Sequence, residues 1–211
     1  SGAKAYTAVA ILRLVESGRL LLGQPAWPYV DAALLRLGSN QTLETLLGPA
    51  ARKVTIDHML GMSSGIADFD VPSLDADNLR RATDGETVTP VDILSSVARF
   101  PEKFVCEPGA CVSYSSTNYI LLGLVLLALD DSAASWDELD QGSVLPPQDA
   151  FQHTTFMNRG PIGDANIVVG HEGKAAGLWP IRGPTVIAAQ DSSVLGWTCG
   201  NLVSTTSEVA L

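Results

Sequence analysis

Residues 113–129 read SYSSTNYILLGLVLLAL, a polar turn feeding a stretch that is apolar on nearly every face of a helix. A helix of that kind buries all its sides, so it belongs at the centre of the molecule. Its apolar run, 120–129, has ten residues, half of the roughly 20 that a helix needs to cross a bilayer. It is a core helix, and the rest of the chain is arranged around it.

Immediately upstream, Cys106 and Cys111 bracket a Pro-Gly turn in CEPGAC, which brings their Cβ atoms towards disulfide range. Two readings stay open: a bridge worth about 2 kcal/mol in the chain-entropy account, or two small buried thiols. A bridge points to an oxidising, extracytoplasmic or secreted setting. The third cysteine, Cys199, is expected to be a buried small residue rather than a reactive thiol.

Further upstream, Thr89 before Pro90 opens a helix in PVDILSSVARF, 90–100, and Thr55 caps a short helix through Leu60. Between them, 67–89 is acidic and polar and reads as an exposed loop with a helical turn at 75–82. Asp68 and Asp70 in it are expected to be solvated carboxylates. At the start of the chain, apolar side chains at helical spacing predict a helix over 3–16, with Ser1 as its N-cap and Gly18 as its stop. GRLLLGQPAWPYV, 18–30, reads as a short extended piece because Pro25 and Pro28 argue against a long helix.

Downstream, 130–165 is rich in loops. NIVVG (166–170), TVIAAQ (185–190) and GNLVS (200–204) read as strands separated by glycine and proline. The pattern is a mixed α and β fold, mostly helical over about 1–150 and strand- and loop-rich over about 151–211.

The charge balance narrows the partners. Thirteen Lys and Arg stand against 23 Asp and Glu, a formal net charge of −10, which argues against nucleic acid and anionic lipid surfaces. His58, His153 and His171 lack the spacing of a metal site, HEGK at 171–174 lacks the second histidine of a zinc protease, and GPIGDANIVVG at 160–170 is not a phosphate loop. No cofactor or metal is expected, and no membrane insertion.

Ser1 and Lys4 lie one helical turn apart. A serine hydroxyl needs a group to take its proton as it attacks a carbonyl, and Lys4 serves if burial and the positive helix end lower its pKa. The same helix end offers backbone N–H groups to an oxyanion. Ser-x-x-Lys alone is weak evidence, since an N-capping serine and a solvated lysine produce it equally well.

Four blocks in order lend it meaning: SGAKAYTAVAILRLVESGRLLL (1–22), VTIDHMLGMSSGIADFD (54–70), CEPGACVSYSSTNYILLGLVL (106–126) and GWTCGNLVSTTSEVAL (196–211). Together they resemble the serine β-lactamase and penicillin-binding-protein superfamily, most closely its class C β-lactamase and D-Ala-D-Ala carboxypeptidase-like branch. The resemblance implies a β-lactamase/transpeptidase-like fold, a helical lobe plus an antiparallel sheet. It implies a serine hydrolase acting on an amide, ester or β-lactam carbonyl of a small molecule or peptide. Ser1 matches the acylated serine, Lys4 the lysine that helps deprotonate it, and Tyr114 the tyrosine that shuttles a proton to the leaving group.

Two departures accompany it. Ser116 stands where the family has a substrate-binding asparagine, with a shorter reach and without the amide's paired donor and acceptor. The family's Lys-Thr-Gly or His-x-Gly motif is expected beyond Leu211, and sheet strands before Ser1, so 1–211 reads as the middle of a hydrolase domain with flanking strands missing. Alone it is expected to be inactive and unstable. Two rival readings are a catalytically silent binding or scaffold relative, and an N-terminal nucleophile using the Ser1 α-amine, which the helix starting there disfavours.

Overall fold

The computed structural model describes residues 1–145, 151–160 and 191–209. Its centre is the helix Thr117–Leu129, numbered α7 in chain order, with every residue from Thr117 to Leu127 buried. Against it pack α1 (Ala3–Glu16), α2 (Trp27–Arg36), α4 (Ile56–Leu60) and α6 (Pro90–Val97), together with a 3-10 turn at Trp197–Cys199. α3 (Leu43–Leu47) and α5 (Pro72–Thr83) complete the helical body. Arg36 closes the C-terminal end of α7, donating to the carbonyls of Leu127 at 2.6 Å and Asp130 at 2.7 Å. A cation is favoured at that end of a helix.

The capping residues behave as their chemistry dictates. Thr55 accepts from the His58 amide and Thr89 from the Asp92 amide, each answered by the third residue's side chain on the cap's own N–H. At the end of α1, Gly18 takes φ +72° and the Arg19 amide turns back to the Leu14 carbonyl at 2.9 Å, the left-handed stop glycine permits.

Three local expectations need correction. Ser1 does not cap α1: Gly2 holds that position in helical conformation with no side-chain cap, and the Ser1 hydroxyl turns to Tyr114 instead. The 18–24 run is largely turns and bends rather than an extended piece, and only Pro25 pairs, as an antiparallel bridge to Thr55, with the Ala26 amide donating to the Val54 carbonyl at 2.9 Å. Pro28 then sits in the first turn of α2, the one helical position where its missing N–H costs nothing. The polar 67–89 stretch contains the full helix α5 rather than a single turn. Arg80 pairs with both Asp77 and Asp84, one turn away on either side, giving a polar helix the support its apolar content does not.

A disulfide joins Cys106 to Cys111 across a Cα separation of 6.3 Å. Its loop lies against the 61–66 turn, where the Gly109 amide reaches the Ser63 carbonyl at 2.8 Å and the Val105 amide the Gly65 carbonyl at 2.7 Å. A Cβ on Gly65, at φ +72°, would overlap the Cys106 carbonyl oxygen, so only glycine permits this approach.

The late part of the chain supplies an antiparallel pair, β1 (Thr155–Phe156) with β2 (Leu202–Val203), Thr155 opposite Val203. β2 falls within the GNLVS stretch; 166–170 and 185–190 lie outside the described residues. A final helix, α8 (Thr206–Val209), turns Glu208 inward, where its carboxylate accepts from the His153 amide and the Thr154 hydroxyl. The fold is mixed α and β. Among the described residues no helix is long and apolar enough to cross a membrane.

Candidate active site

Ser1 stands just before the N-cap Gly2 of α1 and Lys4 lies in the helix's first turn, three residues on and close enough for their side chains to meet. The Lys4 ammonium donates to Ser1 Oγ at 3.2 Å and to the Cys199 carbonyl at 3.2 Å, and the residue is 8% exposed. A buried ammonium requires such partners, since an unpaired charge out of water is costly.

Tyr114 arrives from the polar turn before α7. Its hydroxyl lies 2.9 Å from Ser1 Oγ, across a sequence separation of 113 residues, and Lys4 Nζ sits 5.2 Å from its ring centroid. Burial pushes the phenol up, but hydrogen bonds with Lys4, Ser1 and Ser116 and the Lys4 charge bring it below the usual tyrosine value. The net direction favours phenolate character beside an ammonium.

The turn carrying Tyr114 is held by the 62–69 segment. The Ser113 amide donates to the Met62 carbonyl at 2.9 Å and the Thr117 hydroxyl to the Ala67 carbonyl at 2.8 Å. Asp68 Oδ1 accepts from the Ser116 amide at 2.9 Å and from the Asp70 amide at 3.2 Å. Asp68 is therefore no merely solvated carboxylate. Burial raises its pKa, against the lowering pull of those two amides. Ser116 itself is 1% exposed, and its nearness to Tyr114 is one of the influences that lower the phenol's pKa. Asn118, two positions on, accepts from the Ser64 hydroxyl with its side-chain oxygen and is fully buried, so its amide is committed to the core.

The structure thus brings Ser1, Lys4, Tyr114 and Ser116 together. It also adds groups that residue spacing did not reveal: the Cys199 carbonyl on Lys4 and the Asp68 carboxylate under Ser116. A backbone carbonyl has no side-chain signature, and Asp68 was masked by its acidic surroundings. The Cys199 thiol is inert, 4% exposed and pushed up to about 11 by burial. The His58 ring accepts from the Thr55 amide, His153 contributes its backbone amide to the Glu208 carboxylate, and His171 lies outside the described residues. No cluster of His, Cys, Asp or Glu among the described residues is arranged to hold a metal.

A serine just before α1, a buried lysine in its first turn and a tyrosine from the turn before α7 converge to define the class of site, and comparison with known proteins gives the family. The Beta-lactamase family model matches residues 1–210, so the chain belongs to the Beta-lactamase family. It is 29% identical over 163 residues to penicillin-binding protein 4 of Amycolatopsis lactamdurans, covering 74% of this chain and 35% of that protein. Among solved structures it resembles a D-stereospecific amidohydrolase from Streptomyces sp. at TM-score 0.68 and 20% identity, over 99% of this chain and 56% of the other. It also resembles the D-amino acid amidase of Ochrobactrum anthropi SV3, solved with D-phenylalanine, at TM-score 0.64 and 18% identity, over 100% of this chain and 53% of the other. The chain therefore spans about a third of the curated relative and about half of these solved structures, whose likeness establishes the fold.

Proposed function

We propose that the intact protein is a serine hydrolase that forms an acyl-enzyme on Ser1. The observation that carries this reading is the convergence on Ser1 Oγ of the Tyr114 hydroxyl at 2.9 Å and the Lys4 ammonium at 3.2 Å. Tyr114, with its phenolate favoured by Lys4, accepts the Ser1 proton as Oγ bonds to the substrate carbonyl carbon. The carbonyl π electrons move to oxygen, then return as the bond to the leaving nitrogen or oxygen breaks. Tyr114 passes its proton to that leaving atom. Water repeats the sequence on the ester, releasing the acid and restoring the Ser1 hydroxyl.

The substrate is a small molecule or peptide with an amide, ester or β-lactam carbonyl. Amides of D-amino acids enter this set through the two solved amidohydrolases, and penicillins through the curated relative. Ser116 is buried beside the site and helps lower the Tyr114 phenol, and it contacts the substrate with a shorter reach than the family's asparagine. The Cys106–Cys111 bridge supports an extracytoplasmic setting.

An activated ester tests the mechanism directly. Acyl-enzyme formation releases p-nitrophenol from a p-nitrophenyl ester, as a burst stoichiometric with protein where hydrolysis of the acyl-enzyme is the slower step, and Ser1→Ala abolishes that release. A folded intact protein that gives neither a burst nor steady release above Ser1→Ala would overturn the reading. The second reading, a silent binding or scaffold relative, draws on Ser116 replacing the amide of the family motif. It predicts that the same ligands bind calorimetrically with no burst.

A further inference from the structure

We propose that Thr198 is a positioning residue for the acid–base pair, acting through the Cys199 carbonyl on Lys4. This rests on the serine-hydrolase reading for its kinetic consequence, though not for its geometry. Thr198 is fully buried and ties the two helices that build the site. Its hydroxyl donates to the Tyr119 carbonyl of α7 at 2.7 Å, and its own carbonyl accepts from the Thr7 hydroxyl of α1 at 2.7 Å. The next carbonyl along, that of Cys199, receives Lys4 at 3.2 Å. One residue thereby references α1 to α7, and its neighbour sets the ammonium between Ser1 and Tyr114.

The backbone around it is committed to this seat. Gly196 takes φ +80° and Trp197, 1% exposed, takes φ +44°, a region a large side chain enters only when packing holds it there. A Cβ on Gly123 of α7 would overlap the Thr198 hydroxyl and come within 2.7 Å of the Trp197 ring, so α7 is notched to receive the turn. A Cβ on Gly200 would overlap the Leu195 carbonyl oxygen. These close approaches limit how the turn can sit, and the Thr198 hydrogen bonds to α1 and α7 complete its placement.

The Lys4 ammonium has three N–H donors. Two of its contacts are hydrogen bonds at 3.2 Å, one to Ser1 Oγ and one to the Cys199 carbonyl, so the position of that carbonyl helps set where the ammonium sits. Removing the Thr198 hydroxyl frees the turn to shift by tenths of an ångström, and misplacement near 1 Å costs about 100-fold in rate. A partial shift corresponds to about a ten-fold loss.

The test uses the intact protein with Thr198→Val, which preserves volume, Thr198→Ser, which restores the hydroxyl, and Thr7→Val, which cuts the link from α1. Two readings are taken: the rate of Ser1 labelling by a fluorophosphonate, and the 295 nm titration step that disappears in Tyr114→Phe. Thr198→Val and Thr7→Val are expected to slow labelling about ten-fold and move the Tyr114 step to higher pH, while Thr198→Ser stays within two-fold of the parent. If the parent itself fails to label, the hydrolase reading fails, and the Tyr114 step alone decides the positioning role. A Tyr114 step unmoved in every valine variant that folds with a cooperative melt overturns the proposal. Should either valine variant fail to fold, the other supplies the same comparison.

Discussion

Replacing Tyr114 by phenylalanine removes one oxygen atom, the one 2.9 Å from Ser1 Oγ. The side chain is 54% exposed, so its ring packing is unchanged and the variant's stability at neutral pH stays within about 0.5 kcal/mol of the parent. Catalysis loses a positioned acid–base group, a factor of about 100 to 10,000, or about 3 to 5 kcal/mol in the barrier. Lys4 remains beside Ser1 in this variant, which keeps the loss towards the lower end of that range. The assay is the second-order rate of Ser1 labelling together with a urea unfolding curve. A labelling rate within three-fold of the parent refutes the role given to Tyr114, and so does a large rate loss accompanied by a matching fall in stability.

The Tyr114 phenol carries its own pH signature. Its folded pKa lies below 10, so its coupling to Lys4 contributes stability fully above pH 10 and loses it as pH falls through the folded value. Lys4→Met should move the Tyr114 titration step upward, read at 295 nm against Tyr114→Phe. Gly123→Ala pushes a methyl into Trp197 and the Thr198 hydroxyl, and overpacking of that kind should lower stability by about 1 to 3 kcal/mol in a denaturant titration. Reducing the Cys106–Cys111 bridge opens a loop of sequence separation 5, a loss of about 2 kcal/mol readable as a lower urea midpoint with and without reductant. Thr89→Ala deletes the cap of α6 and should cost about 1 kcal/mol in the same measurement.

What the chain discloses about itself depends on where the information resides. α7 is legible because its apolar residues leave no polar face to choose, and α4 and α6 because Thr55 and Thr89 announce them. α2 was obscured by Pro25 and Pro28, whose different roles, one in an isolated bridge to Thr55 and one in the first turn of a helix, depend on which backbone N–H groups are already unpaired. α5 was obscured by its polarity, since charge pairs around Arg80 replace the apolar stripe that marks other helices. In the site, Ser1, Lys4 and Tyr114 carry side chains in recognisable order. The Cys199 carbonyl does not, and the turn that aims it depends on a notch at Gly123 that residue order cannot show. Asp68 looked like one more solvated acid because only the folded chain carries the Ser116 amide to it.

Mass spectrometry of the intact protein after exposure to a fluorophosphonate decides whether the Ser1 hydroxyl is the nucleophile of this site. One added adduct per chain is expected, mapped to the Ser1 peptide, absent in Ser1→Ala and strongly slowed in Lys4→Met. A folded protein that remains unmodified, or an adduct on any other residue, would contradict that role for Ser1.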